Sequence, residues 1–151
     1  MTITVSEEPF GAPESQSLLR ELNTDLVRRY RGDGHPSVVG PDTLEVVSFL
    51  VARDDAGRQL GCVALRRRDD GTLEIKRMYV RPEARGTGLA DRLLAEVEGR
   101  ARALGVERVK LETGLAQPEA MAVYERNGYE PIEPYGDYAA SPLSRSYARD
   151  I

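Results

Sequence analysis

The spacing of apolar positions changes period several times along the chain, and each change predicts an element. Between Pro13 and Tyr30, the residues Leu18, Leu19, Leu22, Leu26, Val27 and Tyr30 recur at the intervals of one helix face, with Pro13 suited to a first turn. Three stretches, Glu45 to Arg53, Gln59 to Arg67 and Leu73 to Val80, read as strands rich in Val, Leu, Ile and Phe. They are joined by Asp54-Asp55-Ala56-Gly57 and by Asp69-Asp70-Gly71, whose Asp-Gly supplies the positive φ of a hairpin turn. The helical period returns from Gly88 to about Leu104. Leu89, Ala90, Leu93, Leu94, Val97, Ala101 and Leu104 form its apolar stripe, and Asp91, Arg92, Glu96, Glu98 and Arg100 stay polar. Gly105 stops this helix in the manner of a left-handed cap.

A strand over Glu107 to Glu112 follows. Strand, helix and strand in that order imply a right-handed crossover, so this strand should lie parallel to the one ending at Val80. Pro118 opens a shorter helix that runs to Arg126 and ends at Asn127-Gly128. The remainder, broken by Pro131, Pro134, Gly136 and Pro142, reads as two short strands around a loop. Thr2 to Val5 reads as one more short strand, and Arg31 to Thr43, with three glycines and two prolines, as a loop. The pattern predicts one domain over residues 1–151, of α/β (α+β) class, with a mixed sheet and helices on both faces.

Composition narrows the function classes. A chain of 151 residues can bury a sizeable core unaided. No apolar run approaches the eighteen or so residues of a membrane span. The first residues, Met-Thr-Ile-Thr-Val-Ser-Glu-Glu, lack the basic and apolar blocks of a signal peptide, so a cytoplasmic location is the expectation. A net charge of −4 argues against a general nucleic-acid binder. Arginine outnumbers lysine 19 to 2, which we ascribe to genome composition, and Arg66 to Arg68 read as a solvated strand end. With Cys62 the single cysteine and His35 the single histidine, disulfides, metal sites and histidine triads lack material. Cys62 itself, in an apolar strand, reads as a small core residue.

Candidate chemistry centres on the passage from Glu74 to Ala90. A strand ends at Val80, a short polar loop turns the chain, and Arg85-Gly86-Thr87-Gly88-Leu89-Ala90 opens into the long helix. The first N–H groups of a helix lack partners inside it, its dipole adds about half a positive charge there, and glycines admit an anion to the backbone. A dinucleotide fold uses a related device, but here Asp91 stands at the third glycine position and the chain is too short for a doubly wound sheet.

Arg85, Gly88 and Ala90 fit the pattern Q/R-x-x-G-x-G/A, and the chain here resembles the GNAT superfamily of N-acetyltransferases. A second stretch, Ala120-Met121-Ala122-Val123-Tyr124-Glu125-Arg126-Asn127-Gly128-Tyr129, resembles that family's A-x-x-x-Y-E-x-x-G-F, with Tyr129 in the usual Phe position. The resemblance runs from about Leu44 to Ser146. It implies a GNAT fold, a mostly antiparallel sheet of six to seven strands whose central parallel pair splays apart. It also implies acetyl-CoA as cosubstrate, its pyrophosphate held by Arg85, Gly86, Thr87, Gly88, Leu89 and Ala90. In the family, backbone groups of Met78, Tyr79 and Val80 would meet the pantetheine amides, and Tyr124 would contact the sulfur as general acid. Gln117 stands where relatives carry a pantetheine-binding asparagine, or is only the neighbour of Pro118 at a helix start.

For the base, the resemblance implies Glu74, with Glu112 and a water chain as alternatives; Lys76 would instead pair with Glu74 and make both structural. Strand alternation puts Glu74, Lys76, Met78 and Val80 on one face. The implied reaction is acetyl transfer to a primary amine, a small molecule or amino acid before a protein N-terminus or lysine. The loop with Tyr135 and Tyr138, together with Glu112 and His35, is the expected acceptor wall. A homodimer is common among relatives. The competing class is a non-catalytic acyl-CoA-binding module, against which the presence of both Glu74 and Tyr124 speaks.

Overall fold

The computed structural model describes residues 2–30, 45–136 and 139–151. The order is β1 (Thr4–Glu7), α1 (Pro13–Tyr30), β2 (Glu45–Arg53), β3 (Gln59–Arg67), β4 (Leu73–Val80), a 3-10 turn at Pro82–Ala84, and α2 (Leu89–Ala103). β5 (Arg108–Gly114), α3 (Pro118–Arg126), β6 (Glu130–Pro131) and β7 (Ser144–Asp150) complete it. Five elements, α1, β2, β3, β4 and α3, have the bounds that the apolar pattern predicts. β1 lies two residues later than the alternation suggests, because it pairs with β2 from Thr4↔Arg53 to Glu7↔Leu50. β5 extends beyond Glu112 because Thr113 and Gly114 pair with Arg145 and Ser144 of β7. His35 and Tyr138, expected at the acceptor wall, lie outside the described residues.

The sheet runs β1-β2-β3-β4-β5-β7-β6, antiparallel except for the β4–β5 pair. Alternation along β3 divides the interior in two. Val63 and Leu65 join Leu93, Leu94, Val97 and Ala101 of α2, together with Tyr124, Tyr129 and Tyr147, in one core. Cys62 and Ala64 join Leu18, Leu19 and Leu22 of α1 in the other. Cys62 is fully buried and burial pushes its thiol up to about 12, as a core residue and not a nucleophile.

The central strands contain the departure from regularity that matters most. Cys62 stands opposite Tyr79 and Ala64 opposite Lys76, so Val63 faces two residues of β4, and Arg77 there has φ of 53°. This is a β-bulge, and an extra residue reverses the facing of every side chain beyond it. Leu73 and Ile75 before the bulge, and Met78 and Val80 after it, all pack toward the α2 core, whereas Tyr79 packs toward α1. The expectation that Glu74, Lys76, Met78 and Val80 share a face is therefore corrected. Glu74 and Lys76 face the α1 side, and Met78 and Val80 the α2 side. Beside the bulge, β4 pairs with β5 only at Leu73↔Val109, Glu74↔Lys110 and Ile75↔Leu111, after which the two strands separate.

Glu98, which the helical pattern assigned to the polar face of α2, is 4% exposed. It is buried because two partners satisfy it: Tyr129 Oη donates to Oε2 at 2.7 Å and Arg149 Nη1 to Oε1 at 2.8 Å. A phenylalanine at position 129 would leave one carboxylate oxygen without its donor. At the other end of the sheet, α1 docks through Tyr30, whose hydroxyl lies directly on Gly114 of β5. A Cβ at Gly114 would collide with that hydroxyl and stand 2.9 Å from the Leu143 carbonyl. Gly114→Ala should cost about 1–3 kcal/mol, read as a lower urea midpoint at unchanged slope. Gly99→Ala, on α2 with nothing within 4 Å of the added methyl, should instead gain about 0.5–1 kcal/mol.

Candidate active site

Two glycines in the left-handed region shape the turn before α2. Gly86 and Gly88 have φ of 76° and 83°, and the space where a Cβ would stand is open at both. The Thr87 hydroxyl bonds the Ala84 carbonyl at 2.5 Å, and the first amide drawn into the helix is that of Arg92, by the Gly88 carbonyl at 3.1 Å. The preceding amides are left to an outside acceptor, at the positive end of a fifteen-residue helix. That is a cradle of the right chemistry for a diphosphate. Asp91 does not oppose it. Arg126 Nε and Nη2 bind its two oxygens at 2.9 and 2.7 Å, and this pair with Asn127 holds its carboxyl down at about 2.

The cradle opens on a cleft of about 520 Å³ between β4, the glycine turn, α3 and the end of α1. Every residue expected to hold the cosubstrate lines it except Thr87. Arg85 folds back, its Nε donating to the Val80 carbonyl at 3.0 Å with the guanidinium 5.8 Å from the Tyr79 ring centroid. Gln117 is the N-cap residue of α3 without capping it by side chain; its Nε2 donates instead to Tyr30 Oη at 2.9 Å. The motif gave no hint of α1 in this cleft, yet Leu22, Asp25 and Arg29 line it. Arg29 bridges Asp25 of its own helix to the Ala116 carbonyl and Glu119 of α3, at 2.9, 3.0 and 3.0 Å.

Tyr124 stands at the inner end of the cleft. It is 7% exposed, its ring packs at 5.9 Å against Tyr129, and its hydroxyl lies 3.8 Å from Met78 Sδ. Burial pushes its phenol up to about 12. A thioether is a weak acceptor, so this buried donor is poised for a better one.

The opposite face of the β4–β5 gap carries charge. Glu74 is 1% exposed; Tyr135 Oη donates to its Oε2 at 2.5 Å, and Arg66 Nη1 and Arg68 Nη1 lie 3.4 and 3.5 Å from its Oε1. Arg68 and Lys110 both lie over the Tyr135 ring, at 4.9 and 4.3 Å from its centroid. Burial, reinforced by Glu74, drives the Tyr135 phenol far above its usual range. Thus Arg66 and Arg68 are not the solvated strand end that the arginine run suggested; only Arg67 points the other way, 3.9 Å from Glu45. Alternation was the overlooked signal, since residues two apart on a strand share a face. Glu112 is half-buried on β5, just beyond its last pair with β4 and still paired with Ser146 of β7. Burial pushes its carboxyl up to about 7, with the Lys76 ammonium opposing and Glu74 adding to the rise. Burial likewise pulls Lys76 down. Among the described residues no helix is long and apolar enough to cross a membrane, and no acidic, cysteine and histidine group is arranged to hold a metal.

The sequence matches the acetyltransferase (GNAT) family model over residues 13–129. It is 35% identical over 153 residues to an IAA acetyltransferase of Azospirillum brasilense, with 94% of each chain covered. A candidate acyl-CoA N-acyltransferase from Klebsiella pneumoniae superposes with a TM-score of 0.80 at 30% identity, over 99% of this chain and 97% of that one. The PaiA N-acetyltransferase of Thermoplasma acidophilum, solved with coenzyme A, shares the fold at a TM-score of 0.74 and 17% identity, over the whole of both chains. The glycine cradle, the splayed strands and these likenesses agree: the chain belongs to the acetyltransferase (GNAT) family.

Proposed function

We propose that this N-acetyltransferase moves acetyl from acetyl-CoA to the primary amine of a small molecule by direct attack across the β4–β5 gap. One observation carries the reading. The cleft with Tyr124 on the α2 side, and a carboxyl held near 7 on the α1 side, border the same unpaired stretch of β4 and β5. The acyl donor supplies the acetyl thioester; the chain supplies its binding and two proton transfers. Amides 86–90 and the α2 dipole hold the diphosphate, and the outer backbone edge of Met78–Val80 accompanies the pantetheine arm.

Glu112 is the better base of the two carboxylates weighed from the sequence. Glu74 is enclosed by two guanidiniums and a phenol, contacts that suit it to positioning its neighbours. The acceptor's ammonium titrates near ~8–10 and must lose a proton before the amine attacks, so the rise of the Glu112 carboxyl from 4.5 to about 7 makes that transfer about 2.5 units, roughly 3.4 kcal/mol, less uphill. Glu74 then fixes Tyr135, Arg66 and Arg68 around the acceptor. Tyr124, near 12, lies about 3.5 units above an ordinary thiol, so full transfer to the leaving sulfur costs about 5 kcal/mol. It therefore acts as a hydrogen-bond donor whose proton moves late.

Thiol release from acetyl-CoA in the presence of an amine panel tests the reading; binding without turnover would favour the non-catalytic module. Because the raised carboxyl is protonated below its pKa and becomes the base above it, kcat/KM should climb with pH through about 7. Glu112→Gln should lower kcat/KM by about 10²–10⁴-fold and erase that inflection, while Glu74→Gln should retain an inflection moved to lower pH; an inflection surviving in Glu112→Gln places the base elsewhere. Tyr124→Phe should lower turnover about 10²-fold while changing urea stability by less than about 1 kcal/mol, the hydroxyl having only a thioether beside it.

A further inference from the structure

The helix that carries Tyr124 has little packing of its own. α3 is nine residues long, too short to hold its shape unaided, and Tyr124 is its one buried residue. Ala120, Met121 and Val123 are only partly covered, at the edge of the core. The Tyr124 hydroxyl adds no strong tie, since its hydrogen-bond partner is a thioether. What fixes the phenol must therefore act through the ends of α3.

At the C-terminal end the tie runs to α2. Asp91 receives Arg126 Nε and Nη2 on its two oxygens, and Asn127 Nδ2 on Oδ1 at 2.7 Å. Asn127 Nδ2 also donates to the Val123 carbonyl at 2.8 Å, and its backbone N–H donates to the Tyr124 carbonyl at 3.1 Å. The pin thus closes around the residue that bears the phenol. Asp91 itself follows Ala90 in the first turn of α2. One turn of one helix carries both the amides offered to the diphosphate and the carboxylate that holds α3.

This placement has a cost that a purely structural acid would avoid. Asp91 and Arg126 both line the cleft, and an anion beside the cradle repels the diphosphate. Arg126 offsets that charge, but the side chains of the pair are 57% exposed for Arg126 and 33% for Asp91, and exposed pairs add little to overall stability. Positioning is what the arrangement supplies instead. The cradle fixes the coenzyme at its diphosphate, the sulfur ends the arm that runs from there, and the phenol must meet that sulfur within hydrogen-bond reach.

We infer that Asp91 is a positioning residue for acetyl transfer, which through Arg126 and Asn127 sets the Tyr124 phenol at a fixed reach from the diphosphate grip. This inference rests on the acetyltransferase reading, and the two fail differently.

The test measures the single-turnover rate of thiol release at saturating acetyl-CoA and the best acceptor of the amine panel, together with coenzyme A binding by calorimetry. Asp91→Ala and Arg126→Gln should each lower that rate about tenfold. Their effects on binding should run in opposite directions, because the first removes a negative charge beside the cradle and the second a positive one. At low salt, coenzyme A should bind up to about fivefold tighter to Asp91→Ala and up to about fivefold weaker to Arg126→Gln. In a Tyr124→Phe background both substitutions should change the rate by less than about twofold, since a device that acts through the phenol then has nothing to position. A saturating rate unchanged in either single variant, a loss of similar size that persists in the Tyr124→Phe background, or weaker coenzyme A binding in both single variants would overturn the inference and leave acetyl transfer standing. Coenzyme A binding with no thiol release by the wild-type protein for any acceptor would overturn both.

Discussion

The separation of β4 from β5 is the constraint from which the rest of the site follows. Two parallel strands at the centre of a sheet would normally satisfy one another along their length, because buried backbone N–H and C=O groups left unpaired are costly. Here they hold together through three residue pairs and then diverge, beside a bulge that gives β4 an extra residue at Arg77. Backbone edges left open in this way in the middle of a sheet need another partner. The extended, amide-bearing arm of a coenzyme fits that need, on the side where the glycine turn already offers free N–H groups.

The bulge also divides the labour between the two faces. Without it, Glu74 and Lys76 would share a face with Met78 and Val80, and charged side chains would project into the core beneath α2. With it, the α2 side receives Met78, Val80 and Tyr124, apolar apart from one phenol. The α1 side receives Glu74, Lys76, Lys110 and Glu112. One gap is thus bordered by a mostly apolar wall on one side and a charged wall on the other. The Arg29 bridge from α1 to α3 and the Tyr30 contact on Gly114 keep α1 tied to the segment that carries Tyr124.

The two carboxylates show how placement separates chemically identical groups. Glu74 is enclosed, with a phenol on one oxygen and two guanidiniums near the other. Glu112, one strand away and beyond the last β4–β5 pair, is buried beside only partial compensation, and burial raises it to about 7. Tyr135, contacted by Arg68 and Lys110, joins the loop before β7 to this arrangement without lining the cleft on the other side.

The amino-acid sequence by itself determined most of the elements, the crossover that makes β4 and β5 parallel, and the glycine turn before α2. These depend on local period, on Asp-Gly and Gly chemistry, and on residues close together in the chain. It also brought Tyr124 into consideration through one motif resemblance, and Glu112 as the alternative to Glu74 for the base. Tertiary structure alone decided which face each charged residue occupies, because a single bulged residue shifts the parity of a strand and no local signal marks Arg77 as that residue. It decided that Glu98 is buried, since the partners that make burial tolerable, Tyr129 and Arg149, are 31 and 51 positions away. It decided that Arg66 and Arg68 surround Glu74, and that Asp25 and Arg29 line the cleft. Long-range pairing and burial set those outcomes, and neither can be read from neighbours in the chain.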